Sequence, residues 1–302
     1  MKKFTKDFSF LPSRVDQFFW ESKEWFVKRD ELMDFRFSGN KLRKLYSLLQ
    51  TNPSKYTTLI SFGGVQSNAM LSIAYMCNLK GWKFVYYVKK MPNWLKANPI
   101  GNLKLALELG MKMVEIPHLE FYNHITKICN NISEKTLFVP QGGACKLAKD
   151  GIQILAKEIL SWKEDMGIDS FCVATPSGTG TTAFYLRLNL PKEIDVITTP
   201  VVGDKDTLLS QWKSLESNVD NLPEILNKLP KHPFARPKKE YLDVWLSLKD
   251  AGIEFDLVYA PKMWLELLEK IKNLKKPILY IHSGGITGNI SQTEQYRYKG
   301  FF

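Results

Sequence analysis

Short apolar runs alternate with stretches of helical periodicity along most of the chain. Thr57-Thr58-Leu59-Ile60-Ser61-Phe62 reads as a buried strand that stops at Gly63-Gly64. The pattern then predicts a helix over 67–79, a strand over 84–88, a helix over 102–109, a strand over 113–116, a helix over 118–133 and a strand over 136–139. A second series predicts a helix over 147–162, a strand over 169–174, a helix over 181–188 and a strand over 196–199. Helices near 205–217 and 240–250 and strands over 255–259 and 277–281 complete it. Repeated strand-helix alternation is the mark of parallel sheets wrapped by helices, so the expected class is α/β with two lobes and a cleft between them. The stretch 218–239, rich in Pro, Lys and Asn, breaks the rhythm and reads as a loop or excursion.

In open parallel sheets a ligand lies at the carboxyl ends of the strands. The glycine-rich segments here follow strands: Gly63-Gly64, Gly142-Gly143, Ser177 to Thr181, and Ser283-Gly284-Gly285. Each alone is a plain strand-to-helix turn. Four of them, carrying Ser, Thr, Asn and Gln, could converge on one cleft. Thr175-Pro176-Ser177-Gly178-Thr179-Gly180-Thr181-Thr182-Ala183 offers backbone N–H groups, hydroxyls and the positive end of the following helix to an anion. It lacks the Gly-Lys-Ser/Thr ending of a Walker loop and the spacing of a dinucleotide fingerprint, so a single phosphate monoester fits it best. Ser61-Phe62-Gly63-Gly64-Val65-Gln66-Ser67-Asn68 sits at another such turn. Ser67 is a natural helix cap there, while Gln66, Ser67 and Asn68 together supply donors for a carboxylate and an aromatic oxygen.

Lys41 lies in Phe37-Ser38-Gly39-Asn40-Lys41-Leu42-Arg43-Lys44-Leu45, where a Gly-Asn pair opens onto a helical pattern. By itself it reads as a solvated surface charge. Held by the fold, its amine is suited to Schiff-base chemistry with a carbonyl. Composition narrows the alternatives. The 302 residues with 44% hydrophobic and 24% charged content fit a soluble globular protein, and no apolar run is long enough to span a membrane. Met1-Lys2-Lys3-Phe4-Thr5-Lys6-Asp7 is basic, with no signal-peptide core after it, so a cytoplasmic location is expected. Cys77, Cys129, Cys145 and Cys172 stand apart and match no metal spacing. Cys145, after a Gly-Gly pair, is either a small filler or part of a pocket wall. The net charge of +11 is spread along the whole chain, so it favours anionic metabolites over nucleic acid. His282 ends an apolar run and reads as a core residue or as one at a cofactor's rim.

Gly39-Asn40-Lys41-Leu42-Arg43-Lys44-Leu45 followed by Gly63-Gly64-Val65-Gln66-Ser67-Asn68 resembles the 1-aminocyclopropane-1-carboxylate (ACC) deaminase and D-cysteine desulfhydrase family. Trp25 to Leu32, Val139-Pro140-Gln141-Gly142-Gly143, the Ser/Gly/Thr loop, Leu257-Val258-Tyr259 and Ile281-His282-Ser283-Gly284-Gly285 match in the same order. The resemblance implies the tryptophan synthase β-like fold (fold type II) of enzymes that use pyridoxal 5'-phosphate (PLP), with two three-layer parallel-sheet lobes. Residues 45–145 would form the smaller lobe, and 1–44 with 146–302 the larger, PLP-binding one. Lys41 would be the Schiff-base lysine and proton carrier. Asn68 would bond the cofactor's ring oxygen, Ser177, Gly178, Thr179, Gly180 and Thr181 its phosphate, and Ser283 its pyridine side. Ser67 and Tyr259 would join Lys41 in catalysis, and Gln66, Ser67, Asn68, Gly143 and Tyr259 would meet a small amino-acid substrate. A homodimer is implied too. Two departures bear on the substrate. Ala260 stands where the deaminases carry an acid, and Ser283 where they carry an apolar residue. A hydroxyl leaves the pyridine a weaker electron sink, which suits β-elimination of thiolate better than ring opening. Phe234 to Tyr241 matches the family's substrate segment poorly, with Arg236 in a substrate-facing place. The expected activity is conversion of D-cysteine to pyruvate, hydrogen sulfide and ammonia. The alternatives are ACC deamination to 2-oxobutanoate and ammonia, or a non-catalytic protein that binds PLP or a phosphorylated metabolite.

Overall fold

The computed structural model describes residues 12–302. The basic segment Met1 to Asp7 therefore lies outside the described residues. A hairpin comes first, β1 (Val15–Trp20) against β2 (Lys23–Lys28). The next four strands are β3 (Thr58–Phe62), β4 (Lys83–Lys89), β5 (Lys112–Ile116) and β6 (Thr136–Val139). The last four are β7 (Cys172–Ser177), β8 (Asp195–Pro200), β9 (Glu224–Ile225) and β10 (Ile278–Ile281). They form two sheets, a parallel one in the order β5-β4-β3-β6 and a second in the order β1-β2-β10-β7-β8-β9. In the second sheet only the β1–β2 pair is antiparallel.

The central strands are apolar because both faces are covered. Every residue of β7 and β10 is buried. On one face the Ala148–Met166 and Thr181–Asn189 helices pack Ile152, Leu155, Ile159 and Phe184 against Phe26, Val173 and Leu279. On the other, Trp264 of the Ala260–Ile271 helix stands edge-on to Phe18, Trp20 and Trp25 at centroid distances of 5.7, 5.3 and 4.9 Å. The smaller sheet buries Leu59, Phe84, Tyr86 and Val88 under Met70, Ile73 and Leu103 of its own helices.

Most of the expected elements form within a few residues of their predicted bounds. One does not. Phe255 to Tyr259 is a turn, not a strand. Asp256 Oδ1 accepts the N–H groups of Val258 and Tyr259 at 3.1 and 2.5 Å, and Asn289 Oδ1 accepts that of Leu257 at 2.8 Å. Donors spent on side chains cannot join a ladder, and the Ala260–Ile271 helix starts directly afterwards. The helix expected over 118–133 is shorter, Phe121–Cys129.

The short Asn40–Lys44 helix is fixed from two sides. Its Asn40 N–H donates to the Ser283 carbonyl at 3.0 Å. Gly39 has φ +36°, and a Cβ there would strike the backbone of Ser283 and Gly284. Its other side carries Arg43 into a buried charge network. Arg43 bonds Asp30 Oδ1 at 2.8 Å and Glu158 Oε1 at 2.5 Å, Lys28 bonds Glu158 Oε2 at 2.6 Å, and Ser13 Oγ bonds Asp30 Oδ1 at 2.6 Å. Two cations meet two anions, so no charge is left buried alone.

Candidate active site

The carboxyl ends of β3, β6, β7 and β10 open onto one cavity of about 550 Å³. It reaches β3 and β6 where the strand order of the smaller sheet reverses, the usual ligand position in such sheets. Of the residues singled out from the sequence, Lys41, Ser67, Asn68, Ser177, Gly178, Thr179, Gly180, Thr181, Tyr259 and Ser283 all line it. Gln66 and Gly143 do not. Gln66 turns away so that its Nε2 donates to the Ile100 carbonyl at 3.0 Å. Gly143 folds back in a 3-10 turn (Gln141–Gly143), leaving Gln141, Gly142 and Ala144 in the wall. Cys145, His282 and Arg236 are likewise absent from the cavity lining.

Helical periodicity sorts the Asn40–Lys44 segment. Leu42 and Leu45 enter the hydrophobic core, Arg43 enters the charge network, and Lys41 and Lys44, three residues apart, share the cavity face. Lys41 Nζ donates to Asn40 Oδ1 at 2.6 Å. Desolvation pulls its amine down to about 8, with the Asp256 carboxylate opposing the shift. Lys44 is a site residue that the sequence reading passed over. Its Nζ lies 3.2 Å from Thr179 Oγ1 and 3.3 Å from the Gly142 carbonyl oxygen. Burial, reinforced by Lys41, holds it well below the ordinary lysine value.

The Ser177–Thr181 loop ends at the amino terminus of the Thr181–Asn189 helix. Trp212 Nε1–H anchors it through the Gly180 carbonyl at 3.0 Å. Thr179 and Thr181 hydroxyls stand 3.0 Å apart, and the Thr182 hydroxyl and Gln211 Oε1, buried without partners, lie in the same wall. Two amines, Lys44 buried and Lys41 half-buried, beside a loop of backbone N–H groups and hydroxyls make an anion cup. Among the described residues no Asp or Glu lines the cavity.

On the opposite wall Ser67 caps the Asn68–Lys80 helix by accepting the Met70 N–H at 3.3 Å. Its hydroxyl proton is left for another acceptor. Asn68 Oδ1 accepts from Asn102 Nδ2 at 2.8 Å, which leaves the Asn68 amide nitrogen as its free end. Asn102 is fully buried and carries no sequence signal of this role. Tyr259 packs its ring against Phe234 at 5.6 Å and lies against Gly178. Burial first, and Asp256 second, push its phenol well above the usual value, so it is protonated at neutral pH. Ser283 Oγ stands 3.2 Å from Thr175 Oγ1.

No family model matches the chain. A Thermotoga maritima protein provisionally named as a 1-aminocyclopropane-1-carboxylate deaminase is 28% identical over 89% of this chain and 91% of its own length. A D-cysteine desulfhydrase of Klebsiella pneumoniae is 26% identical over 91% of this chain and 90% of its own. The bifunctional D-cysteine desulfhydrase/1-aminocyclopropane-1-carboxylate deaminase, mitochondrial, of Arabidopsis thaliana is 25% identical over 90% of this chain and 75% of its own. The chain resembles the ACC deaminases and D-cysteine desulfhydrases. By this likeness it is an enzyme. Among solved structures, an ACC deaminase homologue superposes with a TM-score of 0.77 at 20% identity, covering 97% of this chain and 94% of that one. A hydrogen sulfide-producing enzyme from Fusobacterium nucleatum gives 0.67 at 13% identity over 96% and 88%. The fold is thus the tryptophan synthase β-like one of fold-type II PLP enzymes, as the sequence motifs imply. Among the described residues no helix is long and apolar enough to cross a membrane.

Proposed function

We propose that the chain is a PLP-dependent lyase acting on a small amino acid, with D-cysteine its preferred substrate. The observation that carries this reading is a half-buried lysine facing a hydroxyl- and glycine-rich anion cup across one cavity. The chemistry of the wall fits the cofactor. Lys41 would take the aldehyde, the Asn68 amide the ring oxygen, and Ser283 the ring nitrogen. Ser177 to Thr181 would hold the phosphate, joined by Lys44. Bound there, PLP supplies an electron sink for the substrate's Cα electrons. The same reading takes residues 45–145 as the smaller lobe and the rest as the larger.

The chain's own groups then have separate tasks. Lys41, unprotonated in a larger fraction of molecules than an exposed lysine, takes the Cα proton. The Ser67 hydroxyl holds the substrate carboxylate. Tyr259, kept protonated by burial, gives its proton to the departing sulfur. With no acid among the described residues of the wall and Ala260 in place of one, only the Ser283 hydroxyl would meet the ring nitrogen. That favours loss of a good leaving group over opening of a strained ring. ACC deamination is the second reading, and the relatives carry both names. Keto-acid assays over D-cysteine, L-cysteine, D-serine and ACC separate the two. Pyruvate from D-cysteine and no 2-oxobutanoate from ACC is expected, and the reverse pattern would transfer the proposal to the deaminase.

Two further outcomes follow from the lysines. Lys44→Met should weaken PLP binding by about 10- to 100-fold, the worth of a charge-assisted hydrogen bond, while leaving kcat at saturating cofactor nearly intact. Equilibrium titration followed by visible absorbance checks this. The rate of PLP capture by apoprotein should rise with pH and level off above about 8, because only the neutral amine attacks and Lys41 loses its proton there. A rise that continues to the ordinary lysine range would contradict the burial of Lys41.

A further inference from the structure

The loop from His282 to Gly285 touches both walls of the cavity. The Ser283 carbonyl seats the Lys41 helix through Asn40. A Cβ on Gly284 would meet the Gly39 backbone, and one on Gly285 would meet the Asn68 amide. Ser283 and Gly284 themselves line the cavity. Behind this loop stands the His282 ring, 1% exposed and stacked on Phe255 with centroids 4.7 Å apart. Its Nε2 lies 2.9 Å from the Glu254 carbonyl oxygen, an acceptor only, so Nε2 carries a proton. Its Nδ1 accepts the Gly284 N–H at 3.1 Å. A ring with one donating and one accepting nitrogen is neutral. Burial supports that state, drawing the ring down to about 4.

Glu31 approaches the same ring from the 3-10 turn Asp30–Leu32 that follows β2. Its Oε1 pairs with Arg29 Nε at 2.5 Å, while Oε2 lies 3.5 Å from His282 Nδ1, buried and without a hydrogen-bond partner. An orphaned carboxylate oxygen facing a lone pair is costly. The same oxygen carrying a proton is neutral, and the lone pair stays with the Gly284 N–H. Burial raises the Glu31 carboxyl to about 7 even though Arg29 opposes it.

We propose that Glu31 is a positioning residue for the cofactor cavity: it holds the proton of the Glu31–His282 pair, so that His282 Nδ1 stays an acceptor and pins Gly284. Loss of that proton sets an ionised carboxylate against the Nδ1 lone pair and loosens the Ser283–Gly284 loop. The surrounding charges are otherwise engaged. Arg29 also bonds Asp16, and Asp30 is held by Arg43. Lys28 faces Glu158, the Glu254 carboxylate faces Lys249, and Asp256 caps Val258 and Tyr259. The link to the cofactor rests on the PLP reading above.

Two measurements test it. The ring nitrogens of His282 in full-length protein without cofactor, read by long-range 15N–1H NMR near pH 6, should show the neutral Nε2–H tautomer; an imidazolium would overturn the proposal. The second compares PLP affinity of wild type, Glu31→Gln and Glu31→Ala from about pH 6 to about pH 8.5. Glu31→Gln is always neutral and keeps the shape of the side chain, which Glu31→Ala does not. It should match wild type at the acid end and bind about tenfold tighter at the alkaline end. Glu31→Ala should be weaker than Glu31→Gln throughout. Lys41 titrates in all three proteins and cancels from the ratios. A wild-type to Glu31→Gln ratio that does not change with pH would refute the positioning role. Absence of PLP binding in every protein would instead refute the cofactor reading, and the proposed link to the cavity with it, leaving the NMR result to decide where the proton sits.

Discussion

Lys41→Ala loses lyase activity by about 10³-fold or more and no longer holds the cofactor covalently, while its fold is retained. The reason is local. Lys41 is a half-buried cavity residue whose amine is drawn down to about 8 and whose one polar partner among the described residues is the adjacent Asn40 side chain. Lys44, its neighbour on the same helix face, is committed to Thr179 and the Gly142 carbonyl. It also sits beside the anion cup, so it cannot replace Lys41. Removing Lys41 deletes no core packing, because Leu42 and Leu45 carry the helix into the core. Far-ultraviolet circular dichroism and thermal unfolding of the variant should therefore match wild type. Activity retained at more than about a tenth of wild type would assign the proton transfer elsewhere.

Arg43→Ala has the largest expected effect on stability, a loss of about 3–5 kcal/mol. The side chain is fully buried between Asp30 and Glu158. Its removal leaves Asp30 with Ser13 and Glu158 with Lys28, one cation for two carboxylates. Burial would then raise those carboxyls, and the variant should recover stability as pH falls and they take up protons. Denaturant titration at neutral and acid pH measures both parts. The Asn40–Lys44 helix packs its Arg43 carbonyl where a Cβ on Gly151 would be. Loss of the guanidinium anchor therefore also frees the lysine pair, and PLP affinity should fall together with stability.

What the sequence disclosed depended on whether a residue's role leaves a local pattern. β10 and the first half of β7 were visible because strands covered on both faces carry continuous apolar runs. β1 was not. Val15 to Trp20 mixes polar and apolar residues, and it turns at Glu21-Ser22, both with positive φ, where a glycine would have flagged a hairpin. The Ala260–Ile271 helix was hidden behind an apolar run that reads as a strand, although Pro261 in its first turn was a usable start signal. The polar Asn289–Tyr298 helix offers no apolar stripe to find. In the site, the glycine loops and Lys41 announce themselves through motif and resemblance. Lys44 was findable from its three-residue spacing to Lys41. Asn102 and Glu31 were not, because each acts on a partner far away in sequence, and only folding sets Asn102 against Asn68 and Glu31 against His282; Asp256, three residues before Tyr259, was hidden by the strand reading of its own segment.

The account stands on the amine of Lys41 as the point of attachment. Borohydride reduction of the PLP-loaded full-length protein, followed by peptide mass mapping, measures it directly. A pyridoxyl mass on the peptide carrying Lys41, absent from Lys41→Ala and present in Lys44→Met, is the expected result. A label on Lys44 or on surface lysines alone, or no label under conditions where turnover is seen, would contradict it.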